Sequence, residues 1–579
     1  MKELKYSEIL ARNRELGNSL TEAPYRIALL SNVVMNQMGE VLEFSLRRQG
    51  IRAEVTIGEY DNIVQDSERF KGVDAAVVFW EAANLVEGFH VIADTMSGVE
   101  LSALAERVEG ELALVLQNLK HVPLVLFNRF SSLVFSANDL RRGALAGLCD
   151  HLNIYLDQAV ATNQVAVDID KVLAKVGLDS ATDFRQFQST KALYSIDFLK
   201  SYVEYVEPAF RAATGRGCKV LILDCDNTLW GGILGEDGES RIQMSDATRQ
   251  GRIFREVQCL LRGLQQRGVL LALCSKNDPE DVDSILSNHA DMVLRDVNIV
   301  AKKVNWCDKA TNIRQLAQDL NLGLDSFVFL DDSAFELGLV EEALPQVRCF
   351  KVPEVLSEYP ALIRRMGREF FMFSATAEDA VKTAMYQQEQ ERKGAISRFE
   401  SVEDYLKSLE LRVRVDWGAE VPVSRAAQLS QKTNQFNLTT RRYTEADIQR
   451  MLDDGEHLVA TFAVSDRFGD YGVAGLLIIR QAPKTAVAFI DTLLMSCRVL
   501  GRNIEHALFN YLMGKFSGRG VNRILAEYIR TPKNDQVAQF YDALGFNLLN
   551  EDGICQKYEL TASDYQPTKI DYIEVIDND

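Results

Sequence analysis

The chain lacks the cysteine pattern of a zinc-binding or disulfide-rich protein. Its nine cysteines are scattered over 579 residues, and no two of them form a C-x-x-C pair. Closely spaced cysteines hold structural zinc, or form disulfide frameworks in small secreted proteins. We therefore expect neither feature, and the composition fits a protein of the reducing cytoplasm.

Long apolar runs and a leader-like segment are also missing. No stretch reaches the roughly 20 apolar residues that a membrane-spanning helix needs. Residues 1–22 are polar and mixed in charge, unlike a secretion signal. We therefore expect no membrane partner, and the sequence contains neither an internal repeat nor a low-complexity tract.

The chain has fewer basic than acidic residues. The chain has 64 Lys and Arg against 83 Asp and Glu, which gives a formal net charge of −19. Nucleic-acid binding requires a basic field, so we expect no nucleic-acid partner. An acidic ligand would need a local basic patch, for which Arg441–Arg442 and residues 498–502 are the candidates.

The rest of the composition is that of an ordinary globular protein. Hydrophobic residues make up 47% and charged residues 25% of the chain, which is enough apolar material for a core in each domain. At roughly 150 residues per domain, the length predicts three or four domains.

One stretch places two carboxylates directly after an apolar run. Val220–Leu223 has the length and composition of a buried parallel strand, and Asp224, Cys225 and Asp226 follow it at once. Asp224 and Asp226 are one side-chain period apart, so both can face one pocket. Two such carboxylates repel unless a shared proton or a cation relieves them. The pair predicts a hard cation, with Mg²⁺ the expected one.

This D-x-D-x-T pattern resembles motif I of the haloacid dehalogenase (HAD) phosphatase superfamily. The longer string DCDNTLWGGILGEDG is similar to the capless FkbH-like branch, some members of which make glyceryl thioesters on acyl carrier proteins. The resemblance implies that Asp224 is the nucleophile that attacks phosphorus. It also implies that Asp226 protonates the leaving group and then activates water.

Later segments resemble the remaining HAD motifs. Ser275 ends an apolar run and matches motif II, whose hydroxyl binds the transferring phosphoryl group. Lys309 opens a helix and matches motif III, which neutralises negative charge; Lys302 and Lys303 are its rivals. The short segments between the motifs leave no room for a cap domain, so we expect an open site.

The fourth motif supplies further acids. Asp331 and Asp332 end the apolar run Phe327–Leu330, and we expect Asp332 to bind the metal directly with Asp331 in support. The predicted metal ligands are Asp224, Asp226, Asp331 and Asp332. Glu336 stands where FkbH-like proteins keep an acid, whereas Leu337 replaces the arginine that usually follows it.

Cys225 has two possible roles. Strand alternation should point it away from the face of Asp224 and Asp226, which favours a packed thiol. The resemblance favours a thiol that carries an acyl group, because glyceryl-transferring FkbH-like proteins have a cysteine at this position. Both readings stay open at this stage.

The residues before 216 alternate strand-like and helix-like segments, which predicts a parallel α/β sheet. The layout resembles the N-terminal SGNH-hydrolase-like domain of longer FkbH-like proteins. Ser31 follows the first strand, where a nucleophile would lie. A serine nucleophile needs a base, and no histidine lies in the late loop around 184–195. We expect a degenerate domain that binds or scaffolds.

The C-terminal residues are predominantly strand-like, with a turn that opens a helix. Arg498, Gly501 and Arg502 resemble the R-x-x-G-x-G/A motif by which GNAT acyltransferases bind acyl-CoA, although Asn503 replaces the final small residue. Asn534 resembles a residue at the end of the same fold. The resemblance implies acyl-CoA, or the phosphopantetheine arm of a carrier, as the ligand.

These patterns predict an α/β protein of three domains. The expected divisions are an SGNH-like α/β domain at 1–215, a capless HAD domain with a Rossmann-like parallel sheet at 216–375, a helical connector at 376–408, and a GNAT-like α+β domain with an acidic, loose tail at 409–579.

The resemblance implies an enzyme with a phosphorylated small-molecule substrate. Cys225 would capture an acyl group from 1,3-bisphosphoglycerate, and Asp224 and Asp226 with Mg²⁺ would remove the remaining phosphate. The acyl group would then pass to a discrete acyl carrier protein. The alternative is a HAD phosphatase fused to an acetyl-CoA-dependent GNAT enzyme, and a third possibility is a non-enzymatic scaffold.

Overall fold

The computed structural model describes residues 4–137, 140–372, 382–388, 401–481 and 485–578. The chain forms two compact units. The first contains the chain through Thr214 together with Tyr443–Asp447, and the second contains Gly215–Arg442 and Ile448–Asp579. The further division of the later residues into two domains stays a prediction.

The first unit is built on a five-stranded parallel sheet, which confirms the predicted α/β pattern. The strand order is β2-β1-β3-β4-β5. The central strands β3 and β4 are fully buried, as expected for strands covered on both faces. The strands are β1 (Tyr25–Ser31), β2 (Ala53–Ile57), β3 (Ala75–Phe79), β4 (Leu124–Asn128) and β5 (Gln164–Val167).

Helices precede, connect and follow these strands. Their apolar stripes pack on the sheet, with Leu104, Val108 and Leu112 buried along one helix. The α-helices are Tyr6–Ser19, Asn36–Arg47, Ile63–Arg69, Phe89–Ile92, Gly98–Asn118, Leu133–Ser136, Ala144–Ala159, Asp170–Val176, Leu178–Ala181, Phe184–Thr190 and Ile196–Ala213.

A second parallel sheet begins the second unit. Its order is β10-β9-β6-β7-β8, so β6 lies between β9 and β7. The strands are β6 (Val220–Leu223), β7 (Leu270–Ser275), β8 (Ile299–Val304), β9 (Phe327–Asp331) and β10 (Arg348–Lys351). The order of strands reverses between β6 and β9, and ligands bind beyond the carboxyl ends of strands at such a point.

Most of the helices in this part of the chain connect one strand of the sheet to the next. The long helix after β6 begins at Arg249 with Thr248 as its N-cap. The α-helices are Leu234–Asp237, Arg249–Gln266, Pro279–Asn288, Lys309–Leu320, Ala334–Ala343 and Tyr359–Met366.

The remaining strands form a mixed sheet of nine. The order is β17-β18-β16-β15-β14-β13-β11-β19, with β12 paired to β15. The strands are β11 (Leu411–Trp417), β12 (Phe436–Asn437), β13 (His457–Asp466), β14 (Gly469–Arg480), β15 (Val487–Met495), β16 (Arg523–Ile529), β17 (Asn547–Asp552), β18 (Cys555–Thr561) and β19 (Ile573–Asn578). The helices are 382–388, Val402–Ser408, Val423–Lys432, Glu445–Asp453, Ile504–Gly518 and Phe540–Ala543.

Two strands of this sheet separate along their length. β15 and β16 are parallel neighbours and pair from Val487 with Arg523 to Ile490 with Ala526. Beyond that point both strands continue, to Met495 and Ile529, without pairing to each other. The gap is partly filled by β12, which pairs with the end of β15.

The C-terminal tail differs from the expectation. We predicted a loose acidic tail, but residues Ile573–Asn578 form β19, which pairs in parallel with β11. Val413 and Val415 of β11 belong to the core, and the partly buried Ile573 and Val575 pack against that core. Edge pairing and these apolar contacts offset the repulsion among acidic residues.

The connector lies mainly outside the described residues. Of the predicted span 376–408, helical structure is described for 382–388 and Val402–Ser408. Throughout the described chain, no helix has both the length and the apolar character required to cross a bilayer.

Candidate functional site

Three predicted site residues lie at the carboxyl ends of adjacent strands. β6 pairs with β7 on one side and with β9 on the other. Asp224 follows the last residue of β6, whereas Ser275 and Asp331 are the last residues of β7 and β9. The parallel topology therefore brings together side chains that are about 50 residues apart in sequence.

A buried lysine connects two of the acids. Lys309 Nζ lies 2.8 Å from Asp224 Oδ1 and 2.5 Å from Asp331 Oδ2. The side chains of Lys309, Asp224 and Asp331 are 5%, 7% and 0% exposed. Lys309 is the first residue of its helix, which is capped by the Asp308 side chain at the Thr311 amide. The ammonium should stay between the two carboxylates in the folded protein, because breaking a buried ion pair is strongly destabilising.

The rival lysines make other contacts. Lys302 pairs with Asp283 and Asp296, and Lys303 pairs with Asp319. Among these three lysines, only Lys309 has a described ion pair with the acids of the site.

Three carboxylates form a group suited to a metal. Asp224, Asp331 and Asp332 each offer an oxygen, and these oxygens lie within 4.8 Å of one another. Three carboxylates and the Lys309 ammonium carry a net charge of −2 when all are ionised. Hard oxygen donors with two uncompensated negative charges fit Mg²⁺.

The pKa values reflect the crowding of like charges. Burial raises the pKa of Asp224 to about 7, with a further rise from Asp331, although Lys309 opposes both effects. Burial and the Asp331 carboxylate also raise the pKa of Asp332. Burial lowers the pKa of Lys309, but the attraction of Asp224 and Asp331 outweighs it and raises the pKa above its ordinary value. The site thus resists carrying all of its negative charge without a further cation.

The Asp226 carboxylate stands outside the metal-binding group that the sequence predicted for it. β6 ends at Leu223 and Asn227 has a φ of 51°, so the two-residue alternation of a strand does not extend this far. Asp226 Oδ1 instead accepts hydrogen bonds from Trp230 Nε1 at 2.9 Å and from the Leu234 amide at 3.0 Å.

Asn277 connects Asp226 to the rest of the site. Its Nδ2 donates to Asp226 Oδ2 at 3.0 Å and to Ser275 Oγ at 3.2 Å. A hydrogen bond from Ser275 also lowers the pKa of Asp224. Sequence reasoning did not identify Asn277 or Trp230 as functional; their signal was only their position within two to four residues of a motif.

Cys225 points into the core, although the regular strand ends two residues before it. It is 0% exposed and packs in a cluster that includes Leu221, Leu223 and Leu229. Burial raises its thiol pKa well above the ordinary value; Asp224 adds to the rise, and a hydrogen bond with Ser275 opposes it. The environment disfavours the thiolate that nucleophilic attack requires.

Exposed apolar side chains follow the carboxyl ends of three strands of the sheet. Ile233 follows β6, Trp306 follows β8 and Phe335 follows β9, and they are 39%, 75% and 70% exposed. Beside them, Lys276 and Glu336 form an ion pair with 2.6 Å between Nζ and Oε1. Exposed apolar side chains next to a functional group indicate a surface that receives a ligand or partner.

Ser31 is engaged with its own loop. Its hydroxyl donates to the Val33 carbonyl at 2.8 Å and accepts from the Val33 amide at 3.1 Å. Within the described residues, His121 and His151 pair with Asp447 and Glu109. The hydrogen bonds described for the Ser31 hydroxyl involve Val33 and no histidine.

The residues predicted to bind acyl-CoA differ in their exposure to solvent. Arg498 is partly exposed and Gly501, with a φ of 77°, is exposed. Arg502 is 4% exposed, lies 4.7 Å from the centre of the Tyr471 ring and donates to the Arg498 carbonyl. Asn534 is completely buried and its amide donates to two backbone carbonyls. Arg502 and Asn534 thus stabilise the turn and the loop after β16.

Comparison with known proteins gives a fold likeness only. No protein-family model and no curated protein matches the chain. A solved structure of the N-terminal part of a Bacteroides fragilis protein, containing a phosphatase domain and complexed with Mg, matches with a TM-score of 0.56 and 24% identity. The match covers 64% of this chain and all of that one. At this identity it shows a shared fold.

Smaller matches are acetyltransferases. A GNAT-family protein from Desulfovibrio desulfuricans matches at 14% identity over 26% of this chain and 99% of that one, with a TM-score of 0.21. The Escherichia coli ribosomal-protein-S18-alanine N-acetyltransferase matches at 15% identity over 27% of this chain and 99% of that one, also with a TM-score of 0.21. These scores carry no argument about function.

Proposed function

We propose that this protein is a magnesium-dependent enzyme that transfers phosphoryl groups, acting as a HAD-type phosphatase at the carboxylate site. The observation that carries the proposal is the buried Lys309 ammonium held between Asp224 and Asp331, with Asp332 in the same carboxylate group. Such a group concentrates charge where a phosphate would react.

The chemistry follows from the two acids on the loop after β6. An Asp224 oxygen attacks phosphorus and forms an aspartyl phosphate as the bond to the leaving oxygen breaks, and Asp226 gives that oxygen a proton. Water then attacks the aspartyl phosphate and gives a proton to Asp226. Inorganic phosphate leaves, and the Asp224 carboxylate is restored.

The other residues bind and orient. Asn277 and Trp230 hold the Asp226 carboxylate in one orientation, and Ser275 and Lys309 are the donors available to phosphate oxygens. Asp224, Asp331 and Asp332 would hold Mg²⁺, which when bound supplies charge neutralisation for the phosphate.

The surroundings favour a substrate carried on a larger molecule. Trp306 and Phe335, which follow β8 and β9, are largely exposed, and the segments between the motifs are too short to hold a cap domain. A protein or long arm can contact this rim while its phosphate reaches the acids.

The metal-binding acids provide the direct test. Asp332→Asn should lower phosphate release from acetyl phosphate and p-nitrophenyl phosphate by at least about 100-fold, because it removes a charged oxygen ligand. EDTA should have the same effect on the unchanged protein. Asp296→Asn is the matched control, since Asp296 is an exposed acid paired with Lys302. Full activity of Asp224→Asn in EDTA would exclude this mechanism.

The C-terminal sheet supports a second activity, acyl transfer. The parallel neighbours β15 and β16 part beyond Ile490 and Ala526, and residues 436–438 lie between the strand ends. The turn at Arg498–Gly501 lies at the end of β15. We therefore propose a phosphatase joined in one chain to an acyltransferase of the GNAT type.

The finer proposal joins the two activities in the FkbH-like route. The Cys225 thiol would attack the acyl phosphate carbonyl of 1,3-bisphosphoglycerate and expel inorganic phosphate as the thioester forms, and the acids would then hydrolyse the remaining phosphate ester. The thiol of a discrete acyl carrier protein would take the acyl group and free Cys225. The Ser275 hydrogen bond to Cys225 supports it, since it couples the thiol to the phosphate site. The complete burial of Cys225 opposes it, so the route requires the thiol to become accessible when substrate binds.

Intact-mass spectrometry decides between this route and the alternative. In the FkbH-like route, Cys225→Ser should abolish the acyl adduct and the acylated carrier while phosphate release from p-nitrophenyl phosphate persists. Cys218→Ser, a buried cysteine just before β6, should change neither. If the Cys225→Ser variant acylates the carrier to the same extent as the unchanged protein does, the thioester route is wrong. An acetyl-CoA-dependent transferase would instead lose activity on Arg498→Ala.

A further inference from the structure

The loops at the carboxyl end of the parallel sheet in the second unit contain few cations. The five strands of this sheet are followed, in chain order, by the residues called here the rim: 225–233, 276–278, 305–308, 332–336 and 352–358. Lys276 is the only Lys or Arg of the rim. Besides Asp226 and Asp332, the rim contains five acids: Asp278, Asp308, Glu336, Glu354 and Glu358. The next segment, 234–248, adds Arg241 together with four acids, so this end of the sheet has a negative field.

The lysines at or next to the strand ends are paired with acids. Lys276 Nζ lies 2.6 Å from Glu336 Oε1. Lys351, the last residue of β10, lies with its Nζ 3.3 Å from an oxygen of the Glu354 carboxylate. Lys303, one residue before the end of β8, is likewise paired with an acid of the following helix. A second anionic group on a substrate would therefore compete with an acid of the protein for each of these ammonium groups.

The ion pair between Lys276 and Glu336 joins the two loops that flank β6. Lys276 follows the end of β7, and Glu336 lies in the first turn of the helix after β9, where its amide is capped by the Ser333 hydroxyl at 3.3 Å. Strands β7 and β9 are the two neighbours of β6, the strand that leads to Asp224. The side chains of Lys276 and Glu336 are 37% and 12% exposed, and partial removal from water strengthens their attraction. Glu336 thus neutralises the one cation of the rim.

The exposed aromatic side chains of the rim lie at the starts of two neighbouring helices. Trp306 comes just before the helix Lys309–Leu320, and Phe335 is the second residue of the helix Ala334–Ala343. The two helices pack together, and Arg314 of the first donates to a backbone carbonyl of the second at 3.2 Å. An uncharged leaving group gains from contact with exposed apolar surface, whereas a charged group loses hydration there.

We propose that the carboxylate site hydrolyses phosphate monoesters whose leaving group has an apolar surface and no negative charge, and that Glu336 sets this preference. The inference rests on the proposed phosphatase and names its substrate class. Lys309 is available to the phosphoryl group that reacts. A second anionic group would meet the acidic rim and a Lys276 ammonium that is already paired, and like charges brought together oppose binding.

The test compares benzyl phosphate with 4-carboxybenzyl phosphate, which differ by one carboxylate remote from the bond that breaks. The full chain with Mg²⁺ should hydrolyse benzyl phosphate with a kcat/KM at least about tenfold higher. Glu336→Gln leaves the Lys276 ammonium free to attract the carboxylate, so this ratio should fall at least about fivefold. Lys276→Gln leaves the Glu336 carboxylate unbalanced, so the ratio should rise. Glu342→Gln, which changes an exposed acid near the end of the same helix, should leave the ratio unchanged.

The apolar surface is tested by a second pair of substrates. Trp306→Ala combined with Phe335→Ala should raise the KM for benzyl phosphate at least about fivefold, because the ring loses apolar contact, and should leave the KM for methyl phosphate within about twofold. Val297→Ala, which shortens an exposed apolar side chain just before β8, should change neither KM.

The outcomes separate this inference from the proposed phosphatase. If neither benzyl ester is hydrolysed, or if EDTA leaves hydrolysis unchanged, the phosphatase itself is wrong and the substrate class falls with it. If hydrolysis requires Mg²⁺ but the two benzyl esters have equal kcat/KM, or if Glu336→Gln and Lys276→Gln leave their ratio unchanged, the phosphatase stands and the inference is overturned. An unchanged KM for benzyl phosphate in the variant without Trp306 and Phe335 would overturn the apolar part of it.

Discussion

At the residue scale, the site is defined by three carboxylates whose negative charge the single Lys309 ammonium cannot balance. The pKa of Asp224 is raised by burial to about 7, from an ordinary value of 3.8. A carboxyl group whose pKa is higher in the folded than in the unfolded protein binds its proton more tightly when folded. Its contribution to stability is complete below the unfolded pKa and is lost as the pH rises through the folded pKa.

The first prediction concerns this pH range. In EDTA, the free energy of unfolding of the unchanged protein should fall relative to that of Asp224→Asn between about pH 4 and pH 7, by on the order of 4 kcal/mol. Urea titrations at several pH values measure this difference. Added Mg²⁺ should remove most of the fall, because a cation favours the ionised acids. Parallel pH profiles of the two proteins would show that Asp224 does not titrate in this range.

The sequence predicted most, but not all, of the residue-scale site. Asp224, Ser275, Lys309, Asp331 and Asp332 come together because each lies at or just after an apolar strand, or at the first residue of a helix, which are features visible in sequence.

The Asp226 carboxylate could not be placed in the same way. Strand alternation ends at Leu223, and the left-handed turn at Asn227 is not encoded by any pattern of polarity. Asn277 was missed because its partners, Asp226 and Ser275, are defined only by the folded loops.

At the element scale, the position of Lys309 depends on how its helix begins. Asp308 caps the helix, with its Oδ1 accepting from the Thr311 amide at 2.8 Å, and Lys309 is the next residue. Replacing an N-cap aspartate by alanine costs about 1 kcal/mol. Here the first turn also holds the ammonium against Asp224 and Asp331.

The second prediction therefore compares two helix N-caps, Asp308 and Asp183. Asp308→Ala should lower stability by about 1 kcal/mol and phosphate release by roughly tenfold, because a frayed first turn misplaces a group that stabilises transferring phosphate. Asp183→Ala removes an equivalent cap, at the Gln186 amide in the first unit, and should affect stability alone. Asp308→Asn keeps the cap and should keep activity. Equal activity losses in Asp308→Ala and Asp183→Ala would contradict this account.

The sequence predicted the buried elements better than the edges. β3, β4, β6, β7 and β9 are almost continuously apolar, which is a pattern that the sequence shows directly. β2 and β5 at the sheet edges were not identified, because β2 is largely exposed and β5 has four residues. β19 was missed since an acidic edge strand resembles a solvated tail.

At the scale of the whole molecule, the fold collects charges that the sequence scatters. Basic side chains from positions between 219 and 533 line a cavity of about 630 Å³ in the second unit, whereas the sequence pointed only to Arg441–Arg442 and to residues 498–502. Arg441 instead pairs with Asp491 and Glu527. No local pattern could have predicted the cavity, because its walls are contributed by two sheets of the second unit.

The last prediction assigns the chemistry to the second unit. Ser31 lies at the end of β1, where a nucleophile would lie, but its hydroxyl is bound to both backbone atoms of Val33 and is 8% exposed. A serine without a base attacks esters poorly. Ser31→Ala should therefore leave phosphate release, acyl transfer and p-nitrophenyl acetate hydrolysis within twofold of the unchanged protein.

The same substitution should lower the free energy of unfolding by about 1 kcal/mol, because it removes the hydroxyl that satisfies the Val33 amide. Ser45→Ala, which removes a buried hydroxyl bound to Glu207 in the same unit, controls for a purely structural loss. If Ser31→Ala abolished ester hydrolysis and Ser45→Ala did not, the first unit would be a hydrolase in its own right. Its base would then have to come from a group other than His121 or His151, since both are paired elsewhere.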